Sequence, residues 1–285
     1  MEISKDIEIV STALWFKKEE TIIINDLHLG YEEALQHKGV LVPKFQLQEI
    51  LSLLEKILEK TNAKKIIING DLKHEFGKVL RQEWKEVLQF FDFLQKKGKE
   101  IIIIQGNHDP AIAPLAGKRG IIIVKEILLN DTLIIHGDEL VKTDAKRIII
   151  GHEHPAITLR EGSKWEKYKC FLKGKWYQKN SFSGTSGKGK LFQKKEKELI
   201  AVPSFNPLLE GTDVLKEKLL SPFLNDTKRQ KSRTGFLPLV SFEGHNKSDQ
   251  KLFPSSDIRD FEVFVVGKEE GLYFGKVKNF IKEKD

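Results

Sequence analysis

Five short motifs built from Asp, Asn and His occur in this chain, and most of them directly follow an apolar, strand-like run. Six of the eight histidines lie in these motifs. Short apolar runs fit strands that are buried inside a sheet. The polar side chains therefore lie at the carboxyl ends of strands, where open α/β sheets bind ligands. The motifs are Asp26-Leu27-His28, Gly70-Asp71-Leu72-Lys73-His74, Gly106-Asn107-His108-Asp109, His136-Gly137 and Gly151-His152-Glu153-His154.

Strands and amphipathic helices alternate in the pattern from Thr21 to Leu159, which indicates an α/β fold. In the helix predicted after Pro43, apolar residues recur every three or four positions, so one face packs on a sheet. After Asp109 the helical signals fade, and successive strands predict a second sheet. The predicted helices are Phe45 to Lys60 and Arg81 to Lys97, and the predicted strands are Thr21 to Asn25, Lys65 to Asn69, Glu100 to Gln105, Ile121 to Val124, Leu133 to His136, Arg147 to Gly151, Ala156 to Leu159 and Tyr168 to Leu172.

The pattern is weaker towards the C-terminus. Residues 173–190 are rich in Gly, Ser and Lys, which predicts a mobile hairpin or loop rather than a domain linker. A strand is predicted at Ile200 to Val202. Beyond it the chain is irregular to about residue 256, except for a short helix predicted at Val214 to Leu220.

The sequence contains no internal repeat and no sign of a separately folding second unit. We therefore expect a single domain over residues 1–285, with a catalytic core at about residues 7–202. Residues 203–285 form a C-terminal extension in this interpretation. Its closing strands are predicted near residues 261–274, at Phe261 to Val266 and Leu272 to Phe274.

Composition excludes several classes of protein. With 285 residues, 40% of them hydrophobic, the chain can bury a sizeable core. The apolar runs are too short to span a bilayer and no signal-peptide pattern is present, so we expect a cytoplasmic protein without a membrane partner. The single cysteine, Cys170, cannot form an intramolecular disulfide and is expected in the core. The net charge of +7 has its excess in residues 161–285, which fits a polyanionic partner or a solvated lysine-rich surface equally well.

The donor types in the motifs predict catalytic metal ions. Carboxylate, imidazole and amide oxygen together suit divalent ions such as Mn, Fe, Ni, Co or Zn, and no thiolate cluster of a structural zinc site is present. In an extended segment, residues i and i+2 point to the same side. Asp26 and His28 can therefore share an ion, and so can His152 and His154.

Each motif taken singly also has a structural interpretation, as a helix cap, a turn or a hydrogen-bonded core histidine. Five motifs in order, with every donor type present, favour the metal interpretation. The glycines that precede candidate ligands, at positions 70, 106 and 151, allow the close backbone approach that a crowded cluster needs. By contrast, His37 lies in a polar helix and His245 in a Gly/Asn/Ser-rich loop, and neither is expected to have a function.

In order and spacing, the motifs resemble those of the calcineurin-like metallophosphoesterase superfamily over roughly residues 7–202. The resemblance implies a four-layer α-β-β-α sandwich of two mixed sheets, which holds two divalent metal ions. We expect manganese, with Ni, Fe, Co or Zn as alternatives. The resemblance assigns Asp71 as the bridge between the ions; the other ligands are Asp26, His28 and His154 for one ion, and Asn107, His136 and His152 for the second.

The same resemblance implies the catalytic residues. His108 matches a histidine that acts near the scissile phosphate, and we expect it to be the general acid for the leaving oxygen. His74 matches a second histidine of nuclease-like members. Asp109 or His74 is expected to orient His108.

Within the superfamily, the chain is most similar to a branch of archaeal phosphoesterases and ligase-associated DNA damage response endonucleases. Three features support this similarity. They are the short interval between His136 and His152, the run from Gly151 to Ile157, and the string from Pro203 to Leu208 followed by Gly211.

We therefore expect a metal-dependent phosphodiesterase or nuclease, whose metal-bridged hydroxide hydrolyses a phosphodiester substrate such as DNA or RNA. One alternative is a phosphomonoesterase or nucleotide pyrophosphatase acting on small molecules. A third interpretation is a binding scaffold that has lost catalysis. The sequence does not indicate an oligomeric state.

Aromatic residues and lysines interleave in the segment 164–192. This combination can bind single-stranded nucleic acid by base stacking and phosphate contacts. Alternation along a β-hairpin also directs aromatic residues to the core and lysines to water without any ligand, and we favour this structural interpretation. The aromatic residues are Trp165, Tyr168, Phe171, Trp176, Tyr177, Phe182 and Phe192.

Overall fold

The structure is a computed structural model that describes residues 1–76, 80–182, 191–225, 257–267 and 271–281. Two mixed β-sheets face each other, which confirms the predicted sandwich of two mixed sheets. The α-helices pack on the outer face of the first sheet. None of the described helices is long and apolar enough to cross a membrane. The helices are α1 (Tyr31–His37), α2 (Gln46–Thr61), α3 (Arg81–Lys96) and α4 (Ala113–Gly117).

The first sheet has seven strands in sequence order. The first four strands form antiparallel pairs, and the fourth to seventh strands are parallel. The carboxyl ends of the three central parallel strands therefore lie at the same edge. The strands are β1 (Glu2–Ser4), β2 (Ile7–Val10), β3 (Ala13–Phe16), β4 (Thr21–Asn25), β5 (Lys65–Asn69), β6 (Glu100–Ile104) and β7 (Ile122–Val124).

The second sheet has nine strands in the order β14-β11-β12-β13-β10-β9-β8, with β15 paired to β12 and β16 paired to β15. Strand β10 is parallel to both of its neighbours, β9 and β13. Strands from the C-terminal extension thus complete the sheet that begins in the catalytic core. The strands are β8 (Glu126–Leu129), β9 (Thr132–Ile135), β10 (Arg147–Ile150), β11 (Pro155–Glu161), β12 (Lys164–Phe182), β13 (Leu191–Ala201), β14 (Thr212–Asp213), β15 (Glu262–Val266) and β16 (Gly271–Lys276).

Consecutive isoleucines of the central strands point to opposite faces and build separate cores. In β5, Ile66 and Ile68 pack with α2 and α3, whereas Ile67 packs between the two sheets. In β10, Ile149 packs between the sheets and its neighbour Ile148 faces the opposite side. All of these side chains are buried, and each contributes about 1.5–3 kcal/mol of transfer free energy. This packing fixes the strand register and therefore where each strand ends.

The outer face of the second sheet is covered, in the described part of the chain, by C-terminal segments rather than by α-helices. Phe223 packs on the buried Trp176, with ring centroids 5.2 Å apart. Two 3-10 turns, Ile258–Asp260 and Val277–Phe280, contribute Ile258 and Val277 to the same core. The second outer layer of this sandwich is thus mainly irregular chain.

One local prediction is wrong, and for a second the structure decides between two alternatives. Residues 214–220 form a turn instead of a helix, because Asp213 accepts hydrogen bonds from Leu215 N and Glu217 N and closes a single turn. Of the hairpin or loop predicted at residues 173–190, the structure shows the hairpin, since residues 173–182 belong to strand β12 and pair antiparallel with β13 through Phe182. The backbone hydrogen bonds between β12 and β13 outweigh the local preference of Gly and Lys residues for a loop. The remainder of the predicted loop, residues 183–190, lies outside the described residues.

Candidate metal centre

The five motifs converge at one edge of the sandwich, just beyond the ends of β4, β5, β6, β9 and β10. Two contacts join the sheets at this edge. The amide of Asn69 donates to Ile135 O at 2.8 Å, and His152 N donates to the carboxylate of Asp26 at 3.1 Å. Because each motif follows a strand whose register is fixed by buried isoleucines, the sheet cores position the polar side chains.

Asp71 is common to two groups of potential ligands, and the ligand atoms within each group lie within 4.8 Å of one another. Asn107 lies beside the second group, since its Oδ1 is 2.9 Å from His136 Nε2. The structure therefore brings the seven predicted ligands together. It places His152 and His154 in different groups, whereas their spacing in the sequence suggested a shared ion. The first group is Asp26, His28, Asp71 and His154, and the second is Asp71, His136 and His152.

The spacing of the donor atoms fits metal ions. His28 Nε2 and His154 Nε2 are 3.3 Å apart, and His136 Nε2 and His152 Nδ1 are 3.2 Å apart. Two ligands bound about 2.1 Å from one ion are about 3.0–3.4 Å from each other at right-angled to tetrahedral geometry. Carboxylate, amide and imidazole donors without thiolate also suit divalent ions of the first transition row. The residues present therefore fit a pair of such ions.

Five of the seven predicted ligands have a left-handed backbone, with φ between 44° and 61°. The sequence analysis assumed that Asp26 with His28 and His152 with His154 lie in extended segments, and the left-handed backbone shows that they do not. A non-glycine residue in this region costs roughly 1–2 kcal/mol and persists only where its surroundings hold it. Half of the ten described non-glycine residues with positive φ lie in this centre, namely Asp26, His28, Asp71, His152 and His154.

The glycines of the motifs admit the close approach that the sequence analysis predicted. A Cβ on Gly70 would overlap the ring of His136, and a Cβ on Gly106 would overlap Asp71. At Gly151, a Cβ would lie 2.8 Å from Asp26 Oδ2. A side chain at any of these positions would displace a candidate ligand.

Asp71 and His136 perturb each other's titration. Burial acts to raise the pKa of Asp71, but the neighbouring His136 holds it well below its ordinary value. Burial acts to lower the pKa of His136, whereas the Asp71 carboxylate raises it to about 9. Because a metal ligand must be a neutral imidazole, ion binding at His136 requires loss of that proton.

Sequence comparison decides the family. The profile of the calcineurin-like phosphoesterases matches residues 20–245, which is most of the chain. The chain belongs to the calcineurin-like phosphoesterase family. Members of this family are hydrolases that act on phosphoester bonds with a binuclear centre of divalent metals. No curated protein sequence matches the chain.

Solved structures align with this chain, and the first of them shares its fold. The nuclease MPE from Pseudomonas putida aligns with a TM-score of 0.55 at 14% identity, over 94% of this chain and 94% of that chain. A protein of unknown function from Aquifex aeolicus aligns with a TM-score of 0.34 at 20% identity, over 47% and 78% of the two chains. Yfce, a phosphoesterase from E. coli, aligns with a TM-score of 0.33 at 17% identity, over 51% and 75%.

His108 lies at the edge of the phosphoesterase centre, with its Nε2 3.8 Å from Asp71 Oδ2. Its Nδ1 donates a hydrogen bond to the backbone carbonyl of His74. The ring of His74 stacks on that of His108, with centroids 5.8 Å apart, and burial lowers the pKa of His74 to about 4. Phe76 also packs against His108, at a centroid distance of 3.6 Å, and is 56% exposed. Phe76 was missed by the sequence analysis because it lies outside the Asp/Asn/His motifs.

Asp109 is placed differently from His108, although the two are adjacent in sequence. Its carboxylate is fully buried and accepts hydrogen bonds from Gly106 N, Leu72 N and Lys73 N. Burial raises its pKa to about 7, with a further contribution from Asp71. In this position Asp109 holds the turn that carries Asp71. Of the two residues expected to orient His108, His74 contacts it through its backbone carbonyl, whereas the described hydrogen bonds of Asp109 are to backbone N–H groups.

A segment beyond the expected catalytic core packs behind the metal centre. Ser204 Oγ donates to Asp26 O at 2.7 Å, and Thr212 N donates to His154 O at 2.8 Å. Ser221 Oγ donates to Gly137 O at 2.7 Å. The sequence analysis singled out the string around Ser204 only as similar to a family branch. Its contacts could not be read from the string, because they depend on the path of the chain behind the sheets.

The remaining candidate residues lie apart from the centre. His37 is exposed at the end of α1, and His245 lies outside the described residues. Cys170 is fully buried, as predicted, and burial raises the pKa of its thiol. In the aromatic and lysine segment, Phe171 and Trp176 are fully buried, as the structural interpretation predicts, while the side chains of Phe182 and Phe192 lie outside the described residues.

Trp165 is the exception within that segment, because 57% of its side chain is exposed. Two cations lie over its ring. The guanidinium of Arg160 is 5.2 Å and the ammonium of Lys216 is 4.5 Å from the ring centroid. This corner combines an exposed aromatic ring with positive charge.

Proposed function

We propose that this chain is a two-metal phosphodiesterase with nuclease activity on nucleic-acid-like substrates. The proposal rests on one observation, the position of Asp71 between two groups of ligand atoms with His108 close to the same carboxylate. A centre of this kind needs both metal ligands and a separate acid. The surrounding side chains supply each of these parts.

The donor geometry supports an assignment of ligands to each ion. Bound divalent ions supply a nucleophile at neutral pH and offset the charge of the phosphate. We favour manganese because carboxylate, amide and imidazole donors suit it, and Ni, Fe, Co and Zn fit the same donors. One ion is assigned to Asp26, His28 and His154 and the other to Asn107, His136 and His152, with Asp71 shared.

His108 is proposed as the general acid. A carbonyl oxygen can only accept a hydrogen bond, so the bond to His74 O places a proton on Nδ1 of His108. The other nitrogen, Nε2, therefore faces the centre and can hold a proton for the leaving oxygen in the imidazolium form. The proposed assistance from His74 acts through its backbone carbonyl, while its stacked ring limits rotation of His108.

The surroundings of His108 support a nucleoside on the leaving side of the substrate. Phe76 offers a half-exposed ring beside His108, and aromatic rings bind nucleobases by stacking without strong sequence preference. At the turn between β11 and β12, Trp165 combines an exposed ring with the cations of Arg160 and Lys216. Together these features support a polymeric, anionic substrate over a small phosphomonoester.

A substrate panel tests the proposal. The protein is loaded with Mn²⁺ and assayed on bis-p-nitrophenyl phosphate, on p-nitrophenyl phosphate, and on single- and double-stranded DNA. We expect turnover of the diester and of at least one form of DNA. Turnover of the monoester alone would establish the small-molecule alternative. Complete inactivity of protein that carries two ions would identify a scaffold.

Within the panel, Asp71→Asn is the matched inactive control, since it changes one atom of the shared ligand. Activity that survives this change in a variant without bound ions would come from a contaminating phosphatase.

A further inference from the structure

A buried serine ties together two of the turns that carry candidate ligands. Ser221 is fully buried, and its Oγ donates to the carbonyl of Gly137, the residue after His136. The backbone N–H of Ser221 donates to Glu153 Oε2 at 2.7 Å, and Leu220 N donates to the same oxygen at 2.8 Å. Glu153 is itself fully buried. The side chain of Glu153 thus fixes the backbone of Ser221, and the hydroxyl of Ser221 in turn fixes the turn that carries His136.

A second buried serine makes the equivalent contact on the opposite half of the centre. Ser204 is 1% exposed and donates from Oγ to the carbonyl of Asp26 at 2.7 Å. Phe205 N donates to Asn25 O at 2.8 Å, so two consecutive residues bond to the end of β4. The buried ammonium of Lys169 holds this stretch from behind by donating to Ser204 O at 2.9 Å.

We infer that Ser221 and Ser204 are positioning residues that act on different metal ions. Ser221 bonds the turn of His136, which the proposed function assigns to one ion, and Ser204 bonds Asp26, which it assigns to the other. This inference rests on that proposed ligand assignment. At Asp26 the physical reason is backbone strain, because a ligand with a left-handed backbone keeps its position only where neighbouring groups hold it. At His136, whose backbone is not left-handed, the bond from Ser221 restrains the following Gly137, whose backbone has no side chain to limit its conformation.

Removal of either hydroxyl leaves a backbone carbonyl without its buried partner, and the turn that carries the ligand relaxes. Hydrogen-bonding partners behind metal ligands typically change metal affinity by about 10- to 100-fold. Ser221→Ala should therefore weaken binding of the ion at His136 by about this factor and leave the affinity for the ion at Asp26 unchanged. Ser204→Ala should weaken binding of the ion at Asp26 by the same factor and leave the affinity for the ion at His136 unchanged.

Manganese binding tests the inference without reference to activity. The wild type, Ser221→Ala and Ser204→Ala are titrated with Mn²⁺ by isothermal titration calorimetry. Spin coupling between two Mn²⁺ ions is followed by electron paramagnetic resonance. Crystals grown at limiting Mn²⁺ show by anomalous scattering which half of the centre is filled. In Ser221→Ala we expect Mn²⁺ to occupy the half of the centre at Asp26 first. In Ser204→Ala we expect it to occupy the half at His136 first.

Each alanine variant is the matched control for the other, because both remove one buried hydroxyl that faces a carbonyl. If Ser221→Ala fails to fold, Ser221→Cys fills the space of the hydroxyl and offers only a weak donor, so it should show the same selectivity. If each variant weakened the binding of both ions equally, or weakened the binding of neither, the inference would be overturned. A wild type that binds fewer than two Mn²⁺ ions would overturn it together with the ligand assignment.

The proposed function can fail separately. A wild type that binds two Mn²⁺ ions and shows the selectivity, yet hydrolyses no phosphodiester, contradicts the proposed activity and leaves the positioning roles intact.

Discussion

The backbone carbonyl of His74 accepts a hydrogen bond from Nδ1 of His108, and this bond determines which nitrogen of His108 faces the metal centre. Nε2 is consequently directed to the side of Asp71, at 3.8 Å from its carboxylate. The contact comes from the backbone, so replacement of the His74 side chain can preserve it. The orientation of His108 is therefore separable from the chemistry of the His74 ring.

We expect His108→Ala to lower kcat by about 10²–10⁴-fold on a phosphodiester with an alkoxide leaving group, because such a group needs a proton. The loss should be much smaller on bis-p-nitrophenyl phosphate, whose leaving group departs without one. Steady-state kinetics on both substrates measure the difference, and calorimetry with Mn²⁺ should show two bound ions in the variant. Equal losses on the two substrates would contradict the acid role.

Phe76→Ala should weaken productive binding of single-stranded DNA by about 5- to 150-fold in kcat/KM, since base stacking is worth about 1–3 kcal/mol. The penalty should vanish on a strand with an abasic residue next to the scissile bond, because no base is left to stack. Tyr273→Ala is the control, since Tyr273 is similarly exposed on β16. A penalty that persists on the abasic strand would assign Phe76 to packing against His108 instead.

Asp71→Asn should lose binding of both ions, with each dissociation constant raised by more than about 100-fold, because Asp71 belongs to both ligand groups. The substitution is isosteric, and asparagine tolerates the left-handed backbone at this position, so the fold should persist. Thermal unfolding with and without Mn²⁺ measures the effect. Mn²⁺ at about 100 times its dissociation constant stabilises the wild type by about 2.7 kcal/mol per site.

Asn107→Ala is the comparison for that experiment, since Asn107 lies beside the second ligand group only. It should retain one ion. Retention of two ions by Asp71→Asn would disprove the bridging assignment.

The strands that carry the centre were predictable from sequence because their apolar runs are short, buried and rich in isoleucine. The sequence predicts β4 and β5 at their observed bounds, and β6 and β10 within one residue. The ends of these strands set the positions of Asp26, Asp71 and His152. Local sequence therefore determines which side chains reach the edge of the sheets.

The backbone of the ligands and the groups that hold them were not predictable. Spacing of two residues suggested an extended segment at His152 and His154, but both residues are left-handed. That conformation depends on contacts from distant parts of the chain, such as Ser221 with Glu153. Such contacts require the tertiary path of residues 203–221, which leaves no periodic pattern in the sequence.

Lys169 should give the protein a specific pH dependence of stability. Burial lowers the pKa of Lys169 in the folded protein to about 7, whereas an unfolded chain restores the ordinary value of about 10.5. Between these values the unfolded chain binds a proton that the folded protein does not, so the free energy of unfolding rises with pH through this window. Below pH 7 Lys169 is protonated in both the folded and the unfolded state, so the folded protein carries the full free-energy cost of the buried charge.

Lys169→Met lacks this proton, so its stability relative to the wild type should fall as the pH rises from 7 to 10. Urea unfolding in the presence of a chelator, at pH 6, 8 and 10, measures the difference. The control is Lys164→Met, since Lys164 is exposed on the same strand and its loss should leave the slope unchanged. A constant difference between Lys169→Met and the wild type across this range would show that the ammonium of Lys169 stays charged in the folded protein, held by the carbonyls of Ser204 and Asn206.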